Sequence, residues 1–265
     1  MKLNLSSEFL FQLFALLIIV IFVHAVYVGL IRPNADALLL QQAELIAAGA
    51  DFVPKRSIYV VIRDLEQEAC FILLLWALAI MGYKGRQVME EQKLLDQRLL
   101  EVAEGTSILP EDAREYSRPL EALDDTTQDY LLPRTLLAAL QRFATTGSIP
   151  AVSNTVREQC EGESDRLDSE LSMVRYITWA IPSIGFIGTV RGIGDALGQA
   201  YEAVEGDISG VTASLGVAFN STFVALVLSI IIMFCLYQLQ LSQERLVLGA
   251  QRYCDKRLMR HLAVH

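Results

Sequence analysis

Small and hydroxyl-bearing residues recur at helical spacing in two apolar stretches of the C-terminal half of the chain. One stripe comprises Thr178, Pro182, Gly185, Thr189, Gly192 and Ala196, and the other comprises Leu215, Ala218, Thr222, Ala225 and Ser229, flanked by Ser214 and Ser221. Successive members of each stripe are three or four residues apart, so each set lies on one face of a helix. Each stretch therefore predicts a helix with a narrow, weakly polar face.

Two functions suit these stripes. In the first, small residues let the helix backbones pack closely and the hydroxyls bond back to carbonyls one turn earlier. In the second, the hydroxyls line a hydrated path that holds water or an ion. Composition alone favours packing. A proton path usually needs a titratable group within the membrane, and neither stripe contains Asp or Glu near the membrane centre. If protons pass here, a second chain must supply the carboxylate.

The rest of the sequence predicts that a membrane positions these stripes. Of the 265 residues, 53% are hydrophobic, and the mean hydropathy is +0.37, above the range of ordinary soluble domains. Apolar runs lie at residues 9–31, 69–83, 173–197 and 211–239. We therefore expect an all-α integral membrane protein with four transmembrane helices and long cytoplasmic helical extensions.

The sequence supports a membrane span more strongly for the first apolar run than for the second. Residues 9–31 contain no Asp, Glu, Lys or Arg and are long enough to cross a hydrocarbon core, although a cleaved signal peptide is the alternative. Residues 69–83 are short for a span, so Glu66 and Glu68 at one end and basic residues at the other must snorkel to complete it.

The runs divide the chain into six segments. These are an N-terminal membrane helix at 1–31, a loop at 32–68, a second membrane helix at 69–83, a helical segment at 84–172, a membrane hairpin at 173–239 and a tail at 240–265. Pro33 and Pro54 are expected to bound a helix at 36–50 within the loop. Helical spacing also predicts that the second span continues through 84–104 and that 153–175 runs into the third span.

Lysine and arginine are unevenly distributed and predict the orientation. Residues 84–166 hold ten and residues 245–260 hold five of the 22, whereas the hairpin link 199–210 holds none. Because basic residues concentrate on the cytoplasmic side, the central segment, the tail and both termini are expected in the cytoplasm. The loop at 32–68 would then be periplasmic, in a bacterial inner membrane. The net charge of −9 comes mainly from the central segment and is interpreted as a solvated helical face.

The hairpin carries two motifs in order. Residues 181–194, IPSIGFIGTVRGIG, resemble the P-x-x-G-x-x-G-T-V-x-G signature of the MotA/TolQ/ExbB family of proton channels. Residues 215–226, LGVAFNSTFVAL, are similar to that family's last span, in which a threonine follows a small residue. Four spans look more like MotA, whereas the GTV motif looks more like TolQ and ExbB, so the subfamily stays open.

This resemblance implies a function and an assembly. Thr189 and Thr222 take the places of the family's two pore threonines. The family's architecture is a homopentamer in the lipid membrane around a dimer of single-span MotB/TolR/ExbD-type partners, whose transmembrane aspartate carries the proton. The chain would be a motor or stator subunit that couples ion flow to mechanical work. The residues expected to line the pore are Thr189, Thr222, Thr178, Pro182, Gly185, Gly192, Ala218, Ser221 and Ala225.

Three charged or ionisable residues near the spans need a separate interpretation. Arg191 follows Thr189 by two residues, about 200° around a helix, so it should point away from the threonine face. An ion pair with Asp195, one turn on, is the simpler expectation, and an electrostatic gate or a partner contact is the alternative. His24 is expected to be a peripheral, hydrogen-bonded histidine rather than a proton relay.

Other function classes have little support. The sequence has no nucleophile elbow, phosphate-binding loop, HExxH or dinucleotide fingerprint, so we expect no enzyme activity and no cofactor. The four cysteines are far apart and are expected to be free thiols, without a metal site. No nucleic-acid partner is indicated. The translocated ion is expected to be H⁺, with Na⁺ as an alternative, and a non-conducting scaffold or a small-solute transporter are the other hypotheses.

Overall fold

The computed structural model describes residues 7–47, 57–103, 106–204 and 206–263. Within these ranges the chain is helical, and the only β pairing is an isolated bridge between Ile108 and Leu262. The helices are α1 (Ser7–Val26), α2 (Arg32–Ala47), α3 (Ile58–Val61), α4 (Leu65–Leu95), α5 (Ala113–Glu121), α6 (Asp125–Gln128), α7 (Leu131–Thr146), α8 (Ile149–Glu170), α9 (Ser172–Gly198), α10 (Ala200–Val204) and α11 (Ser209–Tyr253).

Four helical stretches are long and apolar enough to cross a membrane. They are Phe9–Gln42, Leu65–Leu95, Ile149–Gly198 and Ser209–His261, and each contains one of the four predicted runs. Large apolar side chains such as Phe14, Trp179 and Phe234 are exposed on these helices, as expected where the surrounding solvent is lipid. Within the described residues, the predicted all-helical fold with four helices able to span a membrane is therefore confirmed.

The chain folds into two compact units. The described residues of Met1–Met81 and Met173–Leu236 form the first, called the membrane unit below because it gathers the apolar runs. Those of Gly82–Ser172 and Tyr237–His265 form the second, called the insert unit. The insert unit has its own apolar core, in which α7 packs against α5 and α8 and the end of α11 contributes Leu246.

The first membrane helix does not end at Pro33. It continues from α1 through a single π-helical turn, Tyr27–Ile31, directly into α2. A proline ring clashes with the carbonyl four residues earlier in a regular helix, and the wider π turn relieves this clash. The Asn34 side-chain amide also donates to the Leu30 carbonyl at 2.7 Å. The prediction that Pro33 breaks the helix is therefore wrong, and Pro54 lies outside the described residues.

The second membrane helix, α4, begins four residues before the predicted run and ends at Leu95. It is continuous past residue 83, as predicted, but it does not extend to residue 104. The chain leaves the helix because the next segment packs into the insert unit: Leu100 is buried, and the Leu99 and Leu100 N–H groups donate to the Tyr253 hydroxyl at 2.9 and 3.3 Å. Contacts remote in sequence thus override local helix propensity.

The insert unit holds the helices α5 to α8. Gly147 ends α7 in the left-handed conformation, with φ 58°, which glycine adopts without steric cost. Asp124 begins α6, and its carboxylate accepts from the Thr126 hydroxyl and the Thr127 N–H, which holds the pKa of that carboxyl below its usual value. The acidic face is not wholly solvated, because Glu163 is buried between Arg134 and Arg166.

The hairpin consists of α9 and α11, joined through α10. Only Leu171 separates α8 from α9, so the predicted passage of a charged helix into the third span is confirmed apart from one tight turn. The Asp207 carboxylate accepts from the hydroxyl and N–H of Ser209 at the start of α11, and these bonds lower the pKa of that carboxyl. At its other end α11 runs past residue 239 to Tyr253.

Candidate ion-conducting site

Thr189 of α9 and Thr222 of α11 meet between the two helices of the hairpin. Their hydroxyls hydrogen-bond to each other. The Thr189 hydroxyl also lies 3.0 Å from the Ala218 carbonyl of α11, and the Thr222 hydroxyl lies 3.0 Å from the Gly185 carbonyl of α9. The two hydroxyls have one proton each for three short oxygen–oxygen contacts. Either hydroxyl can therefore be the donor in the bond between them. This arrangement can pass a proton between the two oxygens by exchanging donor and acceptor.

Three buried glycines of α9 bring the helices this close. A Cβ at Gly192 would lie 2.7 Å from the Ser214 carbonyl oxygen and 2.8 Å from the Ala218 nitrogen, both backbone atoms of α11. A Cβ at Gly188 would lie 2.5 Å from the Ser221 Cβ, and one at Gly185 would collide with the Ala225 Cβ. The two stripes therefore do pack against each other as small faces, with the threonine pair inside the contact.

A third helix contributes to the site. Glu66, Gln67 and Glu68 are consecutive at the start of α4, and each reaches a different neighbour. Glu66 forms an ion pair with Arg191 of α9, with contacts of 2.8 and 2.9 Å. The fully buried Gln67 places its amide nitrogen 3.2 Å from the Val61 carbonyl and 3.5 Å from the Ser221 hydroxyl. These residues tie α4 to both helices of the hairpin.

Glu66 packs against Gly188, the residue before Thr189. A Cβ at Gly188 would lie 3.2 Å from the Glu66 Cγ and 2.6 Å from the Ser221 hydroxyl oxygen, so the three residues converge one position before Thr189. The observation that neither stripe bears a carboxylate holds for α9 and α11. α4 brings a carboxylate next to α9, which the interpretation of Glu66 as the snorkelling end of a short span did not predict.

Arg191 points away from Thr189, but its partner differs from the one expected. Its guanidinium is paired with Glu66 of α4 and not with Asp195 of its own helix. Charges four residues apart on one helix can pair, yet Glu66 offers two short contacts and is only 11% exposed. Asp64, just before α4, is also part of this region: burial raises the pKa of its carboxyl, and the Arg63 and Arg191 guanidiniums oppose that effect.

His24 is hydrogen-bonded, as predicted. Its Nδ1 lies 2.7 Å from Glu68, and the same carboxylate accepts from the Arg32 guanidinium at the π turn. The Arg32 guanidinium also lies 5.7 Å from the centre of the Tyr27 ring. The buried Glu68 therefore fastens the first membrane helix to the second.

The two stripes lie inside a longer segment that matches a known protein family. Residues 127–251 match the MotA/TolQ/ExbB proton channel family. The match begins before the two quoted motifs and includes all of α7 to α10 and nearly all of α11. It confirms the resemblance and supports a proton-channel-type membrane subunit. Comparison with curated proteins and with solved structures gave no match.

The other residues predicted for the MotA/TolQ/ExbB pore take different places. Ala218, Ala225 and Ser221 are buried where α11 meets α9, and the Ser221 hydroxyl donates to its own helix at Val217. Thr178 likewise bonds to its own helix, at the Val174 carbonyl, 2.8 Å away. Pro182 lies within α9 and has no N–H to donate to the carbonyl of Thr178. That these residues line a pore stays a prediction.

The described residues contain no cluster of three or more His, Cys, Asp or Glu side chains that could hold a metal ion. All four cysteines are free thiols, as predicted, and Cys70, Cys160 and Cys254 are buried.

The ion pair between Glu66 and Arg191 should hold α4 against the hairpin. We expect Arg191→Glu to lower the free energy of unfolding by about 1–3 kcal/mol, below the full value for a buried pair because Arg191 is 45% exposed. The double variant Glu66→Arg/Arg191→Glu should recover most of the loss. Thermal unfolding of the purified chain in detergent measures both.

Arg86→Glu is the matched control, since Arg86 is 80% exposed and pairs with Glu90 on its own helix. It should leave the unfolding midpoint nearly unchanged. A double variant no more stable than Arg191→Glu alone would contradict the assigned pair.

Proposed function

We propose that the chain is the ion-conducting subunit of a membrane motor, which couples an ion-motive force to mechanical work. The observation that carries this proposal is the Thr189–Thr222 pair, set inside the MotA/TolQ/ExbB segment with both hydroxyls bonded across the hairpin. Hydroxyls that can exchange donor and acceptor roles suit proton transfer, whereas packing alone requires only small residues.

A partner chain completes the path in this proposal. The Glu66 side chain lies against Gly188, the residue before Thr189, and its charge is already balanced by Arg191. A free titratable group must then come from elsewhere, and a single-span protein of the MotB/TolR/ExbD type would bring a transmembrane aspartate. The exposed apolar side chains of α9 and α11, such as Trp179, Phe186 and Phe223, offer surface for neighbouring copies in a pentamer and for lipid.

The orientation follows from charge. The insert unit contains the two basic segments, 84–166 and 245–260, and the hairpin link 199–210 contains no lysine or arginine. This distribution supports a bacterial inner membrane with the insert unit and both termini in the cytoplasm and the hairpin link outside. The ion would then enter from the side of the link.

The proposed ion is H⁺. Hydroxyl and carbonyl oxygens also suit Na⁺, so replacing one ion gradient by the other while the function is measured separates the two.

A non-conducting scaffold is the second candidate, favoured by the close glycine contacts between α9 and α11. Co-expression with the product of the neighbouring gene, followed by purification of the complex, separates the candidates. Recovery of a single-span partner with a membrane aspartate, together with ion-dependent function, supports the motor. A homo-oligomer without ion dependence supports the scaffold and contradicts the motor.

A further inference from the structure

The end of α11 in the insert unit carries a row of exposed basic side chains. Arg245 and Arg252 are exposed, with the exposed Leu248 between them, and the exposed Lys256 lies just beyond the last residue of α11. Arg245, Leu248 and Arg252 are three and four residues apart, so they share one side of the helix. Among the described residues, no carboxylate pairs with any of the three basic side chains. We call these four residues the basic face.

The helix α8 carries a row of the opposite charge. Glu158, Glu161 and Asp165 are exposed and lie three and four residues apart, on the side of α8 opposite the buried Val156. Glu161 has one contact, of 3.7 Å, with the exposed Arg157, and within the described part of the chain Glu158 and Asp165 form no ion pair. We call Glu158, Glu161 and Asp165 the acidic face.

The two faces have the same charge spacing. Glu158 and Asp165 are seven residues apart, and so are Arg245 and Arg252. Seven residues are about 10 Å along a helix, so two carboxylates of one face can meet two guanidiniums of the other at once. Leu248, 51% exposed, would supply an apolar contact between the two charged pairs.

The two faces also lie at matching distances from the ends of the insert unit. The chain leaves this unit after residue 172 and returns to it at residue 237. Along the helices, Asp165 is about 10 Å and Arg245 about 12 Å from these junctions. Glu158 is about 21 Å and Arg252 about 22 Å from them. Each carboxylate therefore has a guanidinium at its own level.

The two faces do not meet within one chain. Asp165 lines a cavity of about 330 Å³ together with Gln243 and Glu244 of α11, which confirms that the two helices are level there. Even so, no ion pair joins the faces in the part of the chain that the structure describes, because both point out of the insert unit. A rotation about an axis normal to the membrane keeps every residue at its level. A second copy inserted in the same direction can therefore present its basic face to the acidic face of the first.

We propose that the insert units of neighbouring copies dock through these faces, with Arg245 and Arg252 of one copy against Asp165 and Glu158 of the next. Such a contact joins two different surfaces and closes into a ring when the rotation between copies allows it. The docking does not require ion conduction, because a non-conducting scaffold of several copies would use the same faces. Exposed ion pairs are individually weak, so the charges mainly fix which surfaces meet and in which register.

Cysteine cross-linking between two tagged copies tests the contact. Arg252→Cys is made in a full-length chain with one tag and Glu158→Cys in a full-length chain with another, and the two are expressed together. A short bismaleimide should then give a product of twice the chain mass that carries both tags, severalfold above the yield from unsubstituted chains. Arg157→Cys in place of Glu158→Cys is the control, because Arg157 is at the same level but about 100° around α8. Equal yields from the two pairs would overturn the proposal.

Charge reversal tests whether the charges direct the docking. Arg245→Glu/Arg252→Glu places like charges opposite each other, so the fraction of oligomer should fall severalfold. Adding Glu158→Arg/Asp165→Arg to the same chain restores opposite charges and should restore the oligomer. Native mass spectrometry of the full chain in detergent at low ionic strength measures both.

Arg114→Glu/Arg118→Glu is the control for charge reversal, since it makes the same change of net charge on exposed residues of α5. It should leave the oligomer unchanged. An oligomer fully retained by Arg245→Glu/Arg252→Glu would assign the basic face to a different acidic partner. An oligomer that the fourfold variant fails to recover would show that the two faces do not pair. Either result overturns the proposal.

Discussion

Replacing Thr189 or Thr222 by valine should abolish ion conduction while the hairpin remains assembled. Valine keeps the shape of threonine and removes the hydroxyl, so the mutual hydrogen bond and one bond to a carbonyl of the facing helix are lost. Each unpaired carbonyl costs about 1–3 kcal/mol of stability, which a membrane protein of this size can tolerate. The expected effect on conduction is much larger, because the proposed path loses the pair of hydroxyls that bond to each other across the hairpin.

Serine variants and a second threonine provide the controls. Thr189→Ser and Thr222→Ser keep the hydroxyl and should conduct. Thr178→Val removes a hydroxyl that bonds only to its own helix, at Val174, and should retain most of the flux. The readout is ion flux in reconstituted vesicles, with membrane extraction of the folded complex to confirm assembly. Full activity in both valine variants would remove the threonine pair from the conducting path.

A single methyl group at Gly192 should disrupt the hairpin. The added Cβ would lie 2.7 and 2.8 Å from backbone atoms of Ser214 and Ala218, which cannot rotate away as a side chain can. Overpacking of this kind costs about 1–3 kcal/mol, so Gly192→Ala should lower the unfolding midpoint and Gly192→Leu should prevent accumulation of the folded chain.

Gly194 is the matched control for this prediction. It lies on the same helix, two residues later, and a Cβ there would meet no atom within 4 Å. Gly194→Ala should be neutral or stabilising by up to about 1 kcal/mol, because alanine is the better helix former. Equal unfolding midpoints for Gly192→Ala and Gly194→Ala would contradict the close contact of α9 with α11.

Periodicity predicted the parts of this protein that depend on neighbours along the chain. The four apolar runs became four span-capable helices, since length and composition alone decide whether a helix suits a bilayer. The two stripes were also visible, because residues three and four apart share a helix face whatever the fold. The bond between Thr189 and Thr222 was not predicted from the stripes, because a stripe does not show which helix it faces.

The features that the sequence did not reveal depend on contacts between distant segments. Arg191 has Asp195 one turn away, yet it pairs with Glu66, 125 residues earlier, because α4 packs beside α9. The end of α4 at Leu95 likewise depends on Tyr253, which captures the N–H groups of Leu99 and Leu100. No local pattern encodes either contact.

Pro33 shows a second reason why a sequence pattern can give a wrong helix boundary. A proline inside a helical pattern usually marks a boundary, but one π turn and the Asn34 side chain accommodate it within the first helix. Such a local rearrangement leaves no periodic signal, so the propensity rule gave the wrong boundary.

Proton flux is the most direct measurement of the central claim. The chain is reconstituted with the proposed single-span partner in vesicles that contain a pH-sensitive dye, and a pH gradient is imposed across the membrane. We predict rapid acidification with the unsubstituted and Thr189→Ser chains, and none above empty vesicles with Thr189→Val/Thr222→Val. Flux in the double valine variant equal to that of the unsubstituted complex would contradict conduction through the threonine pair.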